Sequence, residues 1–224
     1  MTEPWQTPRA SGVILRLALS LVLVAAATFP TRADVIDRIL AVVGRELITL
    51  SDTVAALKLG LVPPPPSGGD VVRATLDALI SRQLELAEAN RYQPPEPAAA
   101  NVEARLDEVR RRAGSPEALA AALAQSGLSE EQLRLRLRDD LRIEAFLAQR
   151  FGSARQPSEQ ELQAYYQAHQ ADYLAPGGGV RPFSDVRDAI RTQLAATQRV
   201  TLINEWLDGL RRRTEIADLY VAAK

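Results

Sequence analysis

The chain has 224 residues, of which 25% are charged and 46% apolar, and its formal net charge is −1. It contains no cysteine, which excludes disulfides, thiol catalysis and thiolate metal sites, and leaves the redox compartment open. A single histidine, His169, excludes a multi-histidine metal site within one chain, and the near-neutral charge is no footprint for nucleic acid.

Residues 1–33 read as an export signal. Arg9 and Arg16 precede an apolar run from Leu17 to Phe29, and Thr31-Arg32-Ala33 offers small residues at the positions a signal peptidase reads. The run is short of the ~20 residues that span a bilayer. Cleavage is expected between Ala33 and Asp34, with an uncleaved anchor as the competing reading. The leader carries a net +2, so the remainder carries −3. Membrane contact is then expected only through this segment before its removal.

From Asp34 to Val43 the β-branched content predicts a strand. Gly44-Arg45 fits a two-residue turn with glycine at the first central position, and Glu46 to Leu50 returns as a second strand. Both faces of this hairpin are apolar and need cover. Ser51-Asp52 then caps a short helix ending near Gly60. The run Pro63-Pro64-Pro65-Pro66 reads as a spacer rather than a docking motif.

Helices follow in series. One runs from Asp70 to about Tyr92, with Leu76, Leu79, Ile80 and Leu84 on its core stripe. Another spans about Ala98 to Ala113. A third starts at Ser115-Pro116 and stops at Gly127. Ser129-x-x-Gln132 and Ser158-x-x-Glu161 are capping boxes that open two more helices, to Phe151 and to about Tyr173. Leu174 to Pro182 is rich in glycine and proline and reads as a flexible break.

The end of the chain organises the rest. Ser184 is the expected cap of a long helix on which Val186, Ile190 and Leu194 recur at four-residue spacing. Its second half, with Val200, Leu202, Ile203, Trp206, Leu207 and Leu210, is apolar around more than half its circumference. Arg211, Arg212 and Arg213 complement the helix dipole. A weakly alternating strand around Ile216 closes the chain. This segment must dock on something earlier, so the hairpin and the terminal strand are expected to share one small sheet.

Few residues have a chemical constellation around them. His169 lies among Tyr165, Tyr166 and Tyr173 without a nucleophile motif, and reads as framework. Asp139 and Asp140 are adjacent on a helix and point apart, so they do not form an acid–base pair. Gly177-Gly178-Gly179 has no lysine and follows no strand, so it is not a phosphate loop. The aromatics Tyr165, Tyr166, Tyr173 and Trp206 are the candidate peptide-binding residues, because amphipathic rings suit interfaces, with packing in the core as the favoured competing reading.

Four stretches resemble the SurA-like periplasmic chaperones. They are Val35-Ile36-Asp37-Arg38-Ile39 returning into Ile48-Thr49-Leu50-Ser51-Asp52; Leu76-x-x-Leu79-Ile80-x-x-Gln83-Leu84; Gly127-Leu128-Ser129-x-x-Gln132-Leu133-Arg134; and Pro157-Ser158-x-x-Glu161-Leu162-x-x-Tyr165-Tyr166. The resemblance implies a mainly α fold with a small β-sheet, in which the C-terminal helix and strand complete a helical N-terminal domain. Residues 34–173 would be that domain, 174–183 a linker and 184–224 the returning segment. In this family a parvulin-type isomerase domain sits where this chain has only the linker, so isomerase activity is not expected. The resemblance implies a periplasmic chaperone without a cofactor that binds unfolded or nascent exported polypeptides, those of the outer membrane included. A structural subunit holding one dedicated envelope partner is the alternative, and both a monomer and a domain-swapped dimer fit the linker.

Overall fold

A computed structural model of the chain describes residues 37–152 and 156–222. The expected leader and its Ala33–Asp34 junction lie outside the described residues. Those residues form seven α-helices and a three-stranded antiparallel sheet.

Strands β1 (Ile39–Val43) and β2 (Glu46–Thr49) make the predicted hairpin, and Gly44 takes a φ of +61° at its turn. Strand β3 (Ile216–Asp218) pairs with the other edge of β1, matching Val43 to Ile216 and Ala41 to Asp218, so the order is β2-β1-β3. Leu40 and Ala41 are neighbours on β1 and point to opposite faces, yet both are fully buried. The hairpin is therefore covered on both sides.

Helix α1 (Leu50–Lys58) begins two residues earlier than a Ser51 cap would start it. Its cap is Thr49, whose hydroxyl accepts from the Asp52 N–H while the Asp52 carboxylate accepts from the Thr49 N–H at 2.8 Å. Asp52 serves as the third helical residue of a capping box, so Ser51 is left inside the first turn. Helix α2 (Val71–Tyr92) is capped by Asp70, α3 spans Ala99–Ala113, α4 Pro116–Ser126 and α5 Glu130–Phe151. The Ser115 cap, proline at the first position of α4 and left-handed Gly127 fall where local chemistry places them.

Two larger cores and a smaller one around Ala89, Ile143 and Phe146 fill this body. Leu40, Val43, Ile48, Leu76, Ile80 and Leu84 join Leu207 and Leu210 beneath the sheet. Leu106, Val109, Leu133 and Leu137 pack with Leu119 and Leu123 between α3, α4 and α5.

A satellite stands beside the body. Helix α6 (Glu159–Ala168), a 3-10 turn over Gln170–Tyr173 and the start of α7 (Phe183–Arg213) enclose Leu162, Val186 and Ile190. Helix α7 thus belongs to both parts: Ile190 is buried in the satellite, and Leu207 and Leu210 are buried in the body. Helix α7 starts at Phe183 with no side-chain cap, and the Ser184 hydroxyl donates to Asp185 instead. The expected flexible break is a closed loop. The Ala175 N–H donates to the Gly179 carbonyl, the Arg181 N–H donates to the Tyr173 carbonyl, and Leu174 bridges Val180. Gly178 and Gly179 take φ of +80° and +90°, which is how so short a segment turns back on itself. Among the described residues no helix is long and apolar enough to cross a membrane.

Candidate functional site

The four aromatic residues singled out by the sequence fall into two separate clusters. Tyr165, Tyr166 and Tyr173 pack with Phe183 around the satellite core and are half-buried. The hydroxyls of the first two are engaged within it. The Tyr166 hydroxyl donates to the Arg181 carbonyl at 2.7 Å, and the Tyr165 hydroxyl accepts from the Gln193 amide at 2.8 Å. His169 ends α6, stacks on Tyr165 with centroids 3.9 Å apart, and holds its Nδ1 2.9 Å from the Tyr165 carbonyl. Its backbone N–H closes the helix against Tyr165 and Tyr166, which is a framework role.

Trp206 belongs to the other cluster. Three helices bring four rings into a row there: Tyr92 at the end of α2, Phe146 and Phe151 on α5, and Trp206 on α7. Centroids are 5.4 Å apart for Tyr92–Phe146, 5.7 Å for Phe146–Trp206 and 5.5 Å for Phe151–Trp206. These are ordinary contact separations for aromatic pairs. Arg150 lies across the end of the row, its guanidinium carbon 5.5 Å from both the Phe151 and Trp206 centroids. Phe146 is buried, whereas Tyr92 is 59% exposed. Beside the row opens a cavity of about 260 Å³ lined by Tyr92, Phe146, Gln149 and Arg150. The Trp206 indole N–H is buried without an acceptor among the described residues.

Next to this row, α7 is left bare. Val200 lies on the same face as Leu207, yet it is 56% exposed, and Leu202, on another side of the helix, is 41% exposed. The apolar second half of α7, expected to dock on earlier elements, is covered only from Ile203 onward. The span between satellite and body keeps its apolar side chains open to solvent.

Charge is organised elsewhere, between α2 and α5. Arg82 donates to Asp140 at 2.6 Å and to the Arg136 carbonyl at 3.2 Å. Burial, with the Asp140 charge adding to it, pushes the Glu85 carboxyl up to about 7 despite the nearby Arg82. Burial also lowers the Arg136 guanidinium, whose Nε and Nη2 have no partner among the described residues. The arginine runs act as tethers as well as dipole partners. Arg112 donates to the Gly60 carbonyl and Arg211 to the Ser81 hydroxyl, both at 2.7 Å. Among the described residues no three acidic or histidine side chains gather as a metal site.

The row was missed from sequence because Tyr92, Phe146 and Phe151 each read as ordinary helix residues. The only signal was the crowding of large apolar side chains near the ends of α2 and α5, and it does not say which residues meet.

No family model and no curated protein sequence matches the chain. A solved structure from Campylobacter jejuni does, one belonging to the pair PEB4 and Cj1289, described as a virulence factor and a periplasmic protein that are structurally related SurA-like chaperones. The superposition has a TM-score of 0.51 at 13% identity and covers 82% of this chain and 100% of that one. The fold is that of a SurA-like chaperone. At this identity the likeness concerns the backbone, and the aromatic row and the Glu85 cluster are described from this chain's own side chains. The SurA-like fold here is mainly helical, with the N-terminal hairpin joined by the C-terminal strand, as the sequence predicts.

Proposed function

We propose that this protein is an exported, periplasmic holding chaperone that binds unfolded or newly exported polypeptides, those of the outer membrane included, without isomerase activity. The observation that carries the reading is the half-open aromatic row, together with the bare stretch of α7 on the helix that carries Trp206, on a SurA-like fold. Apolar side chains left uncovered on an otherwise well-packed helix are a surface for transient burial of another chain. Binding of this kind needs no cofactor, because it runs on burial and release. Trp206 contacts clients through its row in this reading, while Tyr165, Tyr166 and Tyr173 hold the satellite together.

The absence of isomerase activity is supported by the nine residues between Tyr173 and Phe183, where an inserted catalytic domain would need on the order of 100. The cleaved leader over residues 1–33 belongs to the same proposal and supplies the route out of the cytoplasm.

The test is aggregation of an unfolded outer-membrane β-barrel protein on dilution from denaturant, with and without this protein, beside an isomerase assay on a proline peptide. Suppressed aggregation without isomerase activity is expected. If a several-fold excess leaves aggregation unchanged, the holding reading fails and a dedicated envelope partner takes its place. Measurable isomerase activity removes the non-enzymatic part of the proposal.

A further inference from the structure

Arg150 differs in its surroundings from the ion-paired arginines of its helix, and unlike Arg136, whose guanidinium is buried, it is exposed. Arg142, two turns earlier on α5, lies 3.4 Å from both Glu96 and Asp139, and Arg134 reaches Glu103 and Glu130 at 2.8 and 2.7 Å. Arg150 has no carboxylate partner among the described residues. Two aromatic rings hold its guanidinium instead, which orients the group while leaving its N–H donors unused. A ring-held guanidinium is matched to a planar carboxylate.

The cavity beside it is lined by two rings, the Gln149 amide and Arg150, and its volume of about 260 Å³ lies below the range that holds a drug-sized ligand. It is suited to a single ring-bearing side chain, which would stack against Tyr92 and Phe146. From Trp206 back toward the satellite, α7 carries partly buried Ile203 and then exposed Val200. A chain end would leave that stretch empty, whereas an internal segment would lie along it.

We infer that the row from Tyr92 to Phe151, with Arg150, is a docking surface for internal segments of unfolded polypeptides in which an aromatic residue adjoins an aspartate or glutamate. The inference rests on the holding-chaperone reading and adds the chemistry of the segment bound. The ring enters the cavity, the carboxylate meets Arg150, and the following residues run along α7 toward exposed Val200. Unfolded chains without the carboxylate still bind through the rings, but more weakly.

The experiment uses dye-labelled peptides blocked at both ends, alike except for a central Phe-Asp, Phe-Asn or Phe-Lys, and reads anisotropy with the full chain and its variants Arg150→Gln and Arg150→Glu. The wild type is expected to bind Phe-Asp about tenfold more tightly than Phe-Asn, a ratio typical of one charge-assisted contact in a partly desolvated place. Arg150→Gln should bind both equally and bind Phe-Asn as the wild type does. Arg150→Glu should prefer Phe-Lys. Unchanged far-UV circular dichroism establishes that the variants are folded. Equal wild-type affinities for Phe-Asp and Phe-Asn, or a preference that survives Arg150→Gln, overturns the inference. The aggregation assay is run on the same preparations. Suppression by a wild type that shows no carboxylate preference sinks this inference alone, while no suppression at all sinks the parent reading.

Discussion

The hydroxyl of Tyr220 donates to the Asp70 carboxylate at 2.7 Å, across 150 positions of sequence. Asp70 is also the cap of α2, accepting the Arg73 N–H at 2.9 Å. Arg73 in turn pairs with Asp77 and with Asp218 of β3, and stacks over the Tyr220 ring at 5.7 Å. The last strand is therefore latched onto the first turn of α2, next to the sheet it completes.

Removing that latch should loosen the C-terminal strand first. Tyr220→Phe is expected to lower the thermal midpoint by a few degrees and to speed amide exchange in β3 more than in β1 or α2. The Asp70 carboxyl is held below the usual range by the Arg73 N–H and then by the Tyr220 hydroxyl. A carboxyl lowered in the folded state stabilises above its unfolded value and loses that contribution as pH falls through the folded value. Acid loss of β3 protection should thus begin at higher pH in Tyr220→Phe than in wild type. Equal exchange rates for β3 in the two proteins would show that the latch is idle.

Glu85 has the opposite sign. Its carboxyl is raised in the folded chain to about 7, burial being the main cause. Between the unfolded value near 4.5 and pH 7 the folded state keeps a proton that the unfolded state has released. Stability therefore falls as pH rises through that window and stays reduced above it. Glu85→Gln removes the cost and should stabilise the protein at pH 8 by about 2 kcal/mol. Each tenfold change in proton affinity is worth ~1.4 kcal/mol, and water reaching the partly exposed carboxyl screens part of the total. At pH 4.5 the two proteins should unfold at nearly the same denaturant concentration. A constant difference at both pH values would mean that packing, not ionisation, sets the effect.

The satellite should come apart without the body. Leu162 is fully buried against Val186 and Ile190, in a cluster separate from those of the body. Leu162→Ala leaves a cavity and is expected to cost about 2–5 kcal/mol of local stability. Amide exchange should rise over α6 and the first turns of α7, while the sheet and α2 remain protected. Uniform loss of protection along the whole chain would make satellite and body one cooperative unit.

Local signals were legible in the sequence where one stretch carried its own chemistry. Ser129 with Gln132 and Ser158 with Glu161 formed the expected capping boxes, and Gly127 ended its helix in the left-handed region. Thr49 was missed because Ser51-Asp52 offers a competing cap two residues on. Only the reciprocal bond from Asp52 back to Thr49 decides between them. The aromatic row was not legible, because Tyr92, Phe146 and Trp206 meet only once α2, α5 and α7 have packed. The tyrosines near His169 were visible as a group, but nothing in the spacing showed that Tyr166 turns its hydroxyl to Arg181 and Tyr165 to Gln193. Nothing in the sequence marks Glu85, because its burial beside Arg82 and Asp140 arises only where α2 packs on α5.

The loop from Leu174 to Pro182 should accept a folded domain. Its ends are pinned together where Leu174 bridges Val180 and the Arg181 N–H meets the Tyr173 carbonyl at 2.9 Å. Its tip, Gly177-Gly178-Gly179, is exposed, and no neighbour lies within 4 Å of where a Cβ would stand at any of the three. Inserted sequence at such a tip enters and leaves at one place, so it disturbs little of the surrounding packing. A small globular domain placed between Gly177 and Gly178 should leave the stability of the body unchanged within about 1 kcal/mol, a longer loop adding only its modest closure entropy. Alanine at Gly178 and Gly179 together, where φ is positive, should instead weaken the satellite while leaving the sheet intact. If the insertion melts the body as well as the satellite, α7 depends on this loop along its full length, and the division into two separately packed parts is wrong.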